Sequence, residues 1–180
     1  GLINGFGTLI WYSNGKEVAR HVGLFENGKP NGKGRYMVKD RTSVDEYFVM
    51  GSVVNLDENI LRDLHVHELA MTDSTDIYVS DGISKSLFYY ALKPLGTVKG
   101  TLILFSGTME TPADVLNNNI AFLKLAHENN LMVIIPSINN NLFINTPALN
   151  FINNTITDAI KKYKLPSQKF IFGGFSLGGM

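Results

Sequence analysis

The chain has 180 residues, and 44% of them are apolar, which is enough for one domain with a buried core or for two small ones. Its 16 basic and 16 acidic side chains cancel, so the charge predicts no electrostatic binding of nucleic acid or of an anionic membrane. The sequence has no cysteine and no apolar run of about 18 residues, which excludes disulfides, thiolate metal sites and a membrane-spanning helix.

No signal peptide is visible at the amino terminus. Because residue 1 is Gly rather than Met, we expect that the natural start lies upstream or has been removed by processing. The cellular compartment therefore stays open.

Residues 1–38 are rich in glycine and aromatic side chains, and they repeat a short pattern. The turn sequences Asn14-Gly15 and Asn27-Gly28 separate runs such as Thr8–Tyr12 and Arg35–Val38. Asn-Gly tolerates the positive φ angles of a tight hairpin turn, and alternating runs between such turns are typical of short strands. We therefore predict a β-meander of hairpins over residues 1–38.

The segment from Gly23 to Gly34, with the sequence GLFENGKPNGKG, resembles a MORN repeat, whose pattern is G-x-F-x-x-G-x-x-x-G-x-G. The resemblance covers only residues 1–38. It implies contact with a protein or with a membrane surface, or else a purely structural spacer. Because about three repeats are normally needed for a stable array, we expect further repeats upstream.

Residues 39–70 are predicted to connect two domains. Within them, the run Tyr47–Val54 favours a strand, with a degenerate repeat as the alternative. His65 and His67 lie two positions apart, so on a strand they share one face. A metal site needs at least a third ligand, and none is evident, so an ordinary exposed strand is the preferred interpretation.

Residues 71–180 alternate between strand and helix patterns. The segments Asp76–Ser80 and Leu87–Leu92 predict an antiparallel hairpin across the turn Asp81-Gly82. Continuous apolar runs, typical of strands buried on both faces of a parallel sheet, follow at Gly100–Phe105, Leu131–Ile135 and Phe170–Phe172. The order β-β-β-α-β-α-β predicts an α/β fold in which helices cover the sheet.

Two helices are predicted between the parallel strands. The first begins with Thr111 as its cap, Pro112 in the first turn and Asp114 near the positive helix end. Its inward stripe is predicted at Leu116, Ile120, Leu123 and His127, with His127 as a packing or surface residue. The stripe of the second helix is predicted at Leu149, Ile152, Ile156, Ile160 and Tyr163.

The motif that carries chemistry is Gly174-Phe175-Ser176-Leu177-Gly178, a G-x-S-x-G sequence directly after the last predicted strand. A serine on a tight, strained turn between a strand and a helix projects its Oγ into a cleft. Gly174 and Gly178 have no Cβ, which lets the turn close. Ser176 is therefore the candidate nucleophile.

A second turn, Phe105–Met109, ends the strand Gly100–Phe105. Turns of this kind form an oxyanion hole from the amide after the nucleophile and from an amide in the loop after the third strand. We assign these roles to the N–H groups of Leu177 and Thr108, with Met109 as the alternative to Thr108. A plain strand-to-helix turn stays open as the other interpretation.

With these motifs, residues 71–180 resemble the N-terminal half of the α/β-hydrolase fold. The resemblance implies an incomplete α/β-hydrolase sheet, built as a β-hairpin and then a parallel βαβαβ arrangement. It also implies a serine hydrolase that acts on a small-molecule or peptide acyl substrate through an acyl-enzyme, with no metal and no cofactor. The sequence around Ser176 looks most like esterases, although serine peptidases and acyltransferases share the pattern.

In this family the catalytic order along the chain is Ser, then Asp or Glu, then His. Only Leu177, Gly178, Gly179 and Met180 follow the serine, and all four histidines precede it. We therefore expect the sequence to be an incomplete copy of a longer protein, inactive alone and with an unpaired sheet edge. A binding scaffold without catalysis is the competing hypothesis. The loop Ser137–Pro147 is expected to form an apolar wall of the substrate pocket or an ordinary connection.

Overall fold

The computed structural model describes residues 2–69, 87–108, 110–138, 146–174 and 176–179. It divides the chain into two compact units, Gly1–Asn55 and Leu56–Met180, which we call the first and second units. The boundary between the two units falls within residues 39–70, the predicted connector. Residues 44–53 extend the sheet of the first unit, and residues 64–69 form a strand in the sheet of the second.

The first unit is an antiparallel meander of five strands, each hydrogen-bonded to the next along the chain. The strands are β1 (Gly5–Ser13), β2 (Lys16–Glu26), β3 (Lys29–Val38), β4 (Val44–Val49) and β5 (Ser52–Val53). This confirms the predicted β-meander and extends it beyond residue 38. The MORN-like interpretation, with its contacts to a protein or a membrane surface, stays a prediction, since an antiparallel meander is compatible with it without identifying it.

Two-residue turns set the register of this meander. Asn14-Gly15 and Asn27-Gly28 connect the first three strands, and all four residues have positive φ angles between 50° and 80°. Met50-Gly51 connects β4 to β5 with φ angles of 53° and 87°. Two successive positive φ angles are typical of type I′ turns, whose backbone twist matches the right-handed twist of paired strands. The sequence did not indicate the third turn, because Met at its first position lacks the preference of Asn for positive φ.

His21 on β2 is fully buried in the first unit. Its ring packs edge-on against Phe25 and Phe48, with ring centroids 5.4 and 4.4 Å away. Neither ring nitrogen has a hydrogen-bond partner among the described residues. The ring lies over Gly34, where any Cβ would overlap it, so glycine at that position makes room for the imidazole. Because burial penalises the charged form, it lowers the pKa of His21.

We expect acid to destabilise the first unit through His21. The unfolded chain binds a proton near the ordinary histidine pKa of 6.5, whereas the folded unit, with its lowered His21 pKa, stays neutral. Stability is therefore fully present above that pH and falls as the pH drops from it towards the folded pKa. Each tenfold difference between the two acid dissociation constants is worth about 1.4 kcal/mol.

Urea unfolding followed by the fluorescence of Trp11, the only tryptophan in the sequence, measures this effect in the first unit. The midpoint should fall between about pH 7.5 and pH 5.5 in the natural sequence. His21→Phe should flatten that dependence, while His65→Gln, a control in the second unit, should preserve it. An unchanged acid loss in His21→Phe would show that another group is responsible.

The second unit contains a mixed sheet of five strands in the order β10-β8-β9-β7-β6. These strands are β6 (Leu64–Leu69), β7 (Leu87–Leu92), β8 (Gly100–Phe105), β9 (Leu131–Pro136) and β10 (Phe170–Gly174). The described helices are α1 (Glu58–Leu61), α2 (Pro112–Asn118), α3 (Ile120–Glu128) and α4 (Thr146–Tyr163). β8 pairs in parallel with β9 and β10, and the α/β class predicted from the sequence is confirmed.

β7 is antiparallel, as expected, but its partners are β6 and β9. The predicted hairpin partner, Asp76–Ser80, lies outside the described residues. The buried character predicted for β8 and β9 is confirmed, whereas that predicted for β10 is wrong. Ile171 and Phe172 are 59% and 57% exposed, because among the described residues β10 lies at the edge of this sheet and pairs with β8 alone.

The predicted first helix is two helices. Thr111 and Asp114 form a capping box, with Pro112 in the first turn, so the predicted start is confirmed. The helix breaks at Asn119, where φ is −122° and ψ is 26°, and α3 continues from Ile120. The start could be predicted because the capping box involves residues only three positions apart. The break at Asn119 was not predicted.

The buried stripe of α4 is rotated relative to the prediction. Leu149 is 45% exposed, and the fully buried positions are Ala148, Phe151, Thr155 and Ala159. Three of these four side chains are small and Phe151 is large, so most of the larger apolar residues of α4 flank the stripe. The flanking residues that pack on the core are Ile152, Ile156, Ile160 and Tyr163. No helix in the described parts of the chain is long and apolar enough to cross a membrane.

Candidate functional site

The candidate site lies where β10 ends and a short 3₁₀ turn, Ser176–Gly179, begins. Ser176 has a φ angle of 52°, and its side chain is exposed. Positive φ is uncommon for a residue with a Cβ and stores strain unless the surrounding structure imposes it. The chain thus bends sharply at Ser176 and presents the hydroxyl to solvent.

Two glycines on either side of Ser176 make this bend sterically feasible. A Cβ on Gly174 would collide with the backbone carbonyl of Gly178. A Cβ on Gly178 would lie 2.6 Å from the carbonyl oxygen of Phe105 and 2.7 Å from that of Ser106, closer than real Cβ contacts come. The turn is therefore packed against its own strand and against the end of β8, and no side chain fits at either glycine.

The turn after β8 forms the other side of the site. The Gly107 N–H donates to Glu110 Oε2 at 2.8 Å, and the Glu110 N–H donates to the Gly107 carbonyl oxygen at 3.2 Å. Thr108 is exposed, and no described residue accepts a hydrogen bond from its amide. Met109, the alternative to Thr108, lies outside the described residues.

Strand pairing brings these two turns together. Gly174 pairs with Phe105 in the parallel register of β10 and β8, so both strands end at the same level. Clefts beyond the carboxyl ends of parallel strands are where α/β sheets bind ligands. Ser176, the Leu177 backbone and Thr108 accordingly lie at one edge of the sheet. The catalytic roles of this hydroxyl and of the two backbone amides stay predictions.

A cavity of about 420 Å³ adjoins this edge. It lies between the ends of β8 and β10 and the helices α2 and α3, and its lining residues are Leu104, Phe105, Glu110, Val115, Asn118, Asn119, Phe122 and Gly174. The sequence did not indicate this cavity, since its wall comes from helix residues that only the tertiary fold brings to Gly174. Residues 139–145 of the loop Ser137–Pro147 lie outside the described part, so its contribution to a pocket stays a prediction.

The histidines engage groups other than Ser176. His127 is buried, and its Nε2 lies 3.0 Å from Asp63 Oδ2, which confirms its predicted packing role. His67 Nε2 lies 2.6 Å from the Tyr163 hydroxyl, and His65 is exposed and stacks on His67 with centroids 6.4 Å apart. His65 and His67 therefore share one strand face, as predicted. Within the described residues, no group of three or more acidic or histidine side chains is arranged to hold a metal.

A polar network between α4 and the sheet was not anticipated. The buried Tyr89 hydroxyl donates to Asp158 Oδ2 at 2.6 Å, and Lys162 Nζ donates to both oxygens of the same carboxylate at 2.6 and 2.7 Å. Burial raises the pKa of Tyr89, and it raises that of Tyr163 to about 12. Desolvation lowers the pKa of His67. The hydrogen bonds Tyr89–Asp158 and His67–Tyr163 anchor α4 to the sheet, while Lys162 pairs with the Asp158 carboxylate within α4.

No protein-family model matches the chain, and no curated protein matches it. Among solved structures, the acetyl xylan esterase from Aspergillus awamori is 16% identical with a TM-score of 0.44, covering 63% of this chain and 43% of that one. FphF, a fluorophosphonate-binding serine hydrolase of Staphylococcus aureus, is 18% identical with a TM-score of 0.44, covering 64% and 48%. A thermostable esterase is 15% identical with a TM-score of 0.46, covering 91% and 44%.

The chain spans less than half the length of each of these three proteins. All three are named as esterases or serine hydrolases. Every one of these TM-scores lies below 0.5, so the function of this chain has to be inferred from the geometry of its own residues.

Proposed function

We propose that this protein is a serine hydrolase of the α/β-hydrolase type that cleaves an ester or related acyl bond, with Ser176 as its nucleophile. The observation that carries the proposal is the bend at Ser176. An exposed serine with a φ of 52° lies two residues after the end of a parallel strand, between two glycines that the packing requires. Positive φ alone also occurs at plain turns such as Met50-Gly51, so the proposal depends on its combination with the two packed glycines and the exposed hydroxyl at the end of a parallel strand.

In the proposed reaction, Ser176 Oγ attacks the substrate carbonyl carbon and gives its proton to a histidine base. The Leu177 and Thr108 amides donate to the resulting oxyanion, and each such donor is typically worth about 10²–10³-fold in rate. Collapse of the tetrahedral intermediate expels the protonated leaving group and forms the acyl-enzyme. Water then attacks the acyl carbon, and release of the acid regenerates the serine.

None of the four histidines is hydrogen-bonded to Ser176 in the described residues. A serine without a base is a poor nucleophile at neutral pH. The proposal therefore includes a histidine and an orienting acid contributed by further residues of the same protein.

A fluorophosphonate probe tests the proposal, because it phosphonylates only activated serines. We expect one adduct per molecule of the full-length native protein, located by mass spectrometry on the tryptic peptide that begins at Phe170. Heat-denatured protein is the control and should not react. An unreactive native protein, or an adduct on the neighbouring tryptic peptide that contains Ser167, would exclude Ser176 as the nucleophile and favour a binding scaffold.

A further inference from the structure

The Glu110 side chain closes the turn that follows β8. Its Oε2 accepts the Gly107 N–H at 2.8 Å, while its own N–H donates to the Gly107 carbonyl at 3.2 Å. Its Oε1 accepts from Asn118 Nδ2 at 3.3 Å, which ties the same carboxylate to α2. Residues 107 and 110 are thus bridged twice, and Thr108 lies inside the bridged segment.

This bridge decides which amide of the turn is free. The Gly107 N–H is occupied by the Glu110 carboxylate, whereas no described residue accepts the Thr108 N–H. Glycine has the widest backbone freedom of any residue, so an unbridged Gly107 would let the following amide rotate. The carboxylate removes that freedom.

The turn also touches the bend at Ser176. The Ser106 and Phe105 carbonyl oxygens lie so close to Gly178 that a Cβ there would approach them to 2.7 and 2.6 Å. A shift of residues 106–108 would therefore change the position of the Thr108 amide relative to Ser176. Catalytic groups have to be held within about 0.5 Å of their productive geometry to be effective.

We propose that Glu110 is a positioning residue, which holds the turn so that the Thr108 amide can donate to the oxyanion. This inference rests on the proposed function of Ser176. The carboxylate acts through its hydrogen bond to the Gly107 amide, which requires the full length of the Glu side chain. Its charge does not contribute, since a negative charge beside an oxyanion would oppose catalysis. Two substitutions separate the length of the Glu110 side chain from its negative charge.

The test measures kcat and KM for a p-nitrophenyl ester, together with the rate of fluorophosphonate labelling, in the full-length protein. Glu110→Gln keeps the acceptor and its reach but removes the charge, and we expect its kcat to stay within about threefold of the natural value or to rise. Glu110→Asp keeps the charge but shortens the reach, and we expect its kcat to fall at least about tenfold with little change in KM.

A role of Glu110 in folding alone predicts a different pattern. It would lower the thermal unfolding temperature of Glu110→Asp together with its kcat. For a positioning role we expect that temperature to stay close to that of the natural protein, because Asp is favourable near a helix start. Equal kcat values for the Asp and Gln variants, or a change confined to KM, would overturn the positioning role and leave Glu110 as a residue of the cavity wall. Absence of labelling at Ser176 in the natural protein would instead overturn the proposed function.

Discussion

Replacement of Ser176 by alanine is expected to lower kcat for ester hydrolysis by the full-length protein by about 10³-fold or more. The variant has no oxygen to attack the carbonyl carbon, so no acyl-enzyme can form. Any remaining rate would come from oriented amides acting on water. Hydrolysis of a p-nitrophenyl ester and covalent labelling by a fluorophosphonate measure the loss in two independent ways.

Ser167→Ala is the matched control, because Ser167 is an exposed serine in the turn before β10. It should keep the natural kcat and the natural labelling. Alanine at position 176 should also leave the thermal unfolding temperature nearly unchanged, since the hydroxyl is exposed. Persistent labelling or turnover in Ser176→Ala would mean that another residue is the nucleophile.

The second large effect is expected from Gly174→Ala. The added Cβ would collide with the Gly178 carbonyl, which is backbone and cannot rotate away. The bend therefore has to open, and displacing a reacting group by about 1 Å can cost about 10²-fold in rate. We expect kcat to fall by about that factor and stability by about 1–3 kcal/mol, measured by ester hydrolysis and by urea unfolding.

Gly173→Ala controls for the addition of a methyl group to the same strand. Among the described residues its Cβ would meet Leu104 Cδ2 alone, at 3.3 Å, and the end of a flexible side chain can adjust. We expect activity and stability close to those of the natural protein. If Gly174→Ala behaved like Gly173→Ala, the packed bend would not be required for activity.

Several features follow from short stretches of sequence. The Asn-Gly turns, the capping box at Thr111 and the runs of β8 and β9 all involve neighbours along the chain or a single element. Their physics is local: a residue that tolerates positive φ, a side chain that satisfies a free helix amide, and apolar side chains that avoid water. The position of the bend at Ser176 belongs to the same group, because glycine is needed within two residues on each side.

Other features depend on partners far away along the chain. The pairing of β6 with β7, the burial of His21 between Phe25 and Phe48, and the rotation of the α4 stripe were not predicted. Each depends on which elements lie next to one another, and hydrophobic periodicity does not specify that. The assignment of residues 44–53 and 64–69 to the two sheets was not predicted, for the same reason.

The sequence by itself therefore determined the type of each long element and the residue at which a nucleophile could be presented. Only the tertiary structure decided that β10 pairs with β8 and that the Gly178 backbone packs on the end of β8. It also decided that Glu110 occupies the Gly107 amide, while no described residue accepts that of Thr108. The physical reason is the separation along the chain of the residues that interact. Backbone conformation responds to adjacent residues, whereas an oxyanion site requires amides from two turns about 70 residues apart to meet at one sheet edge.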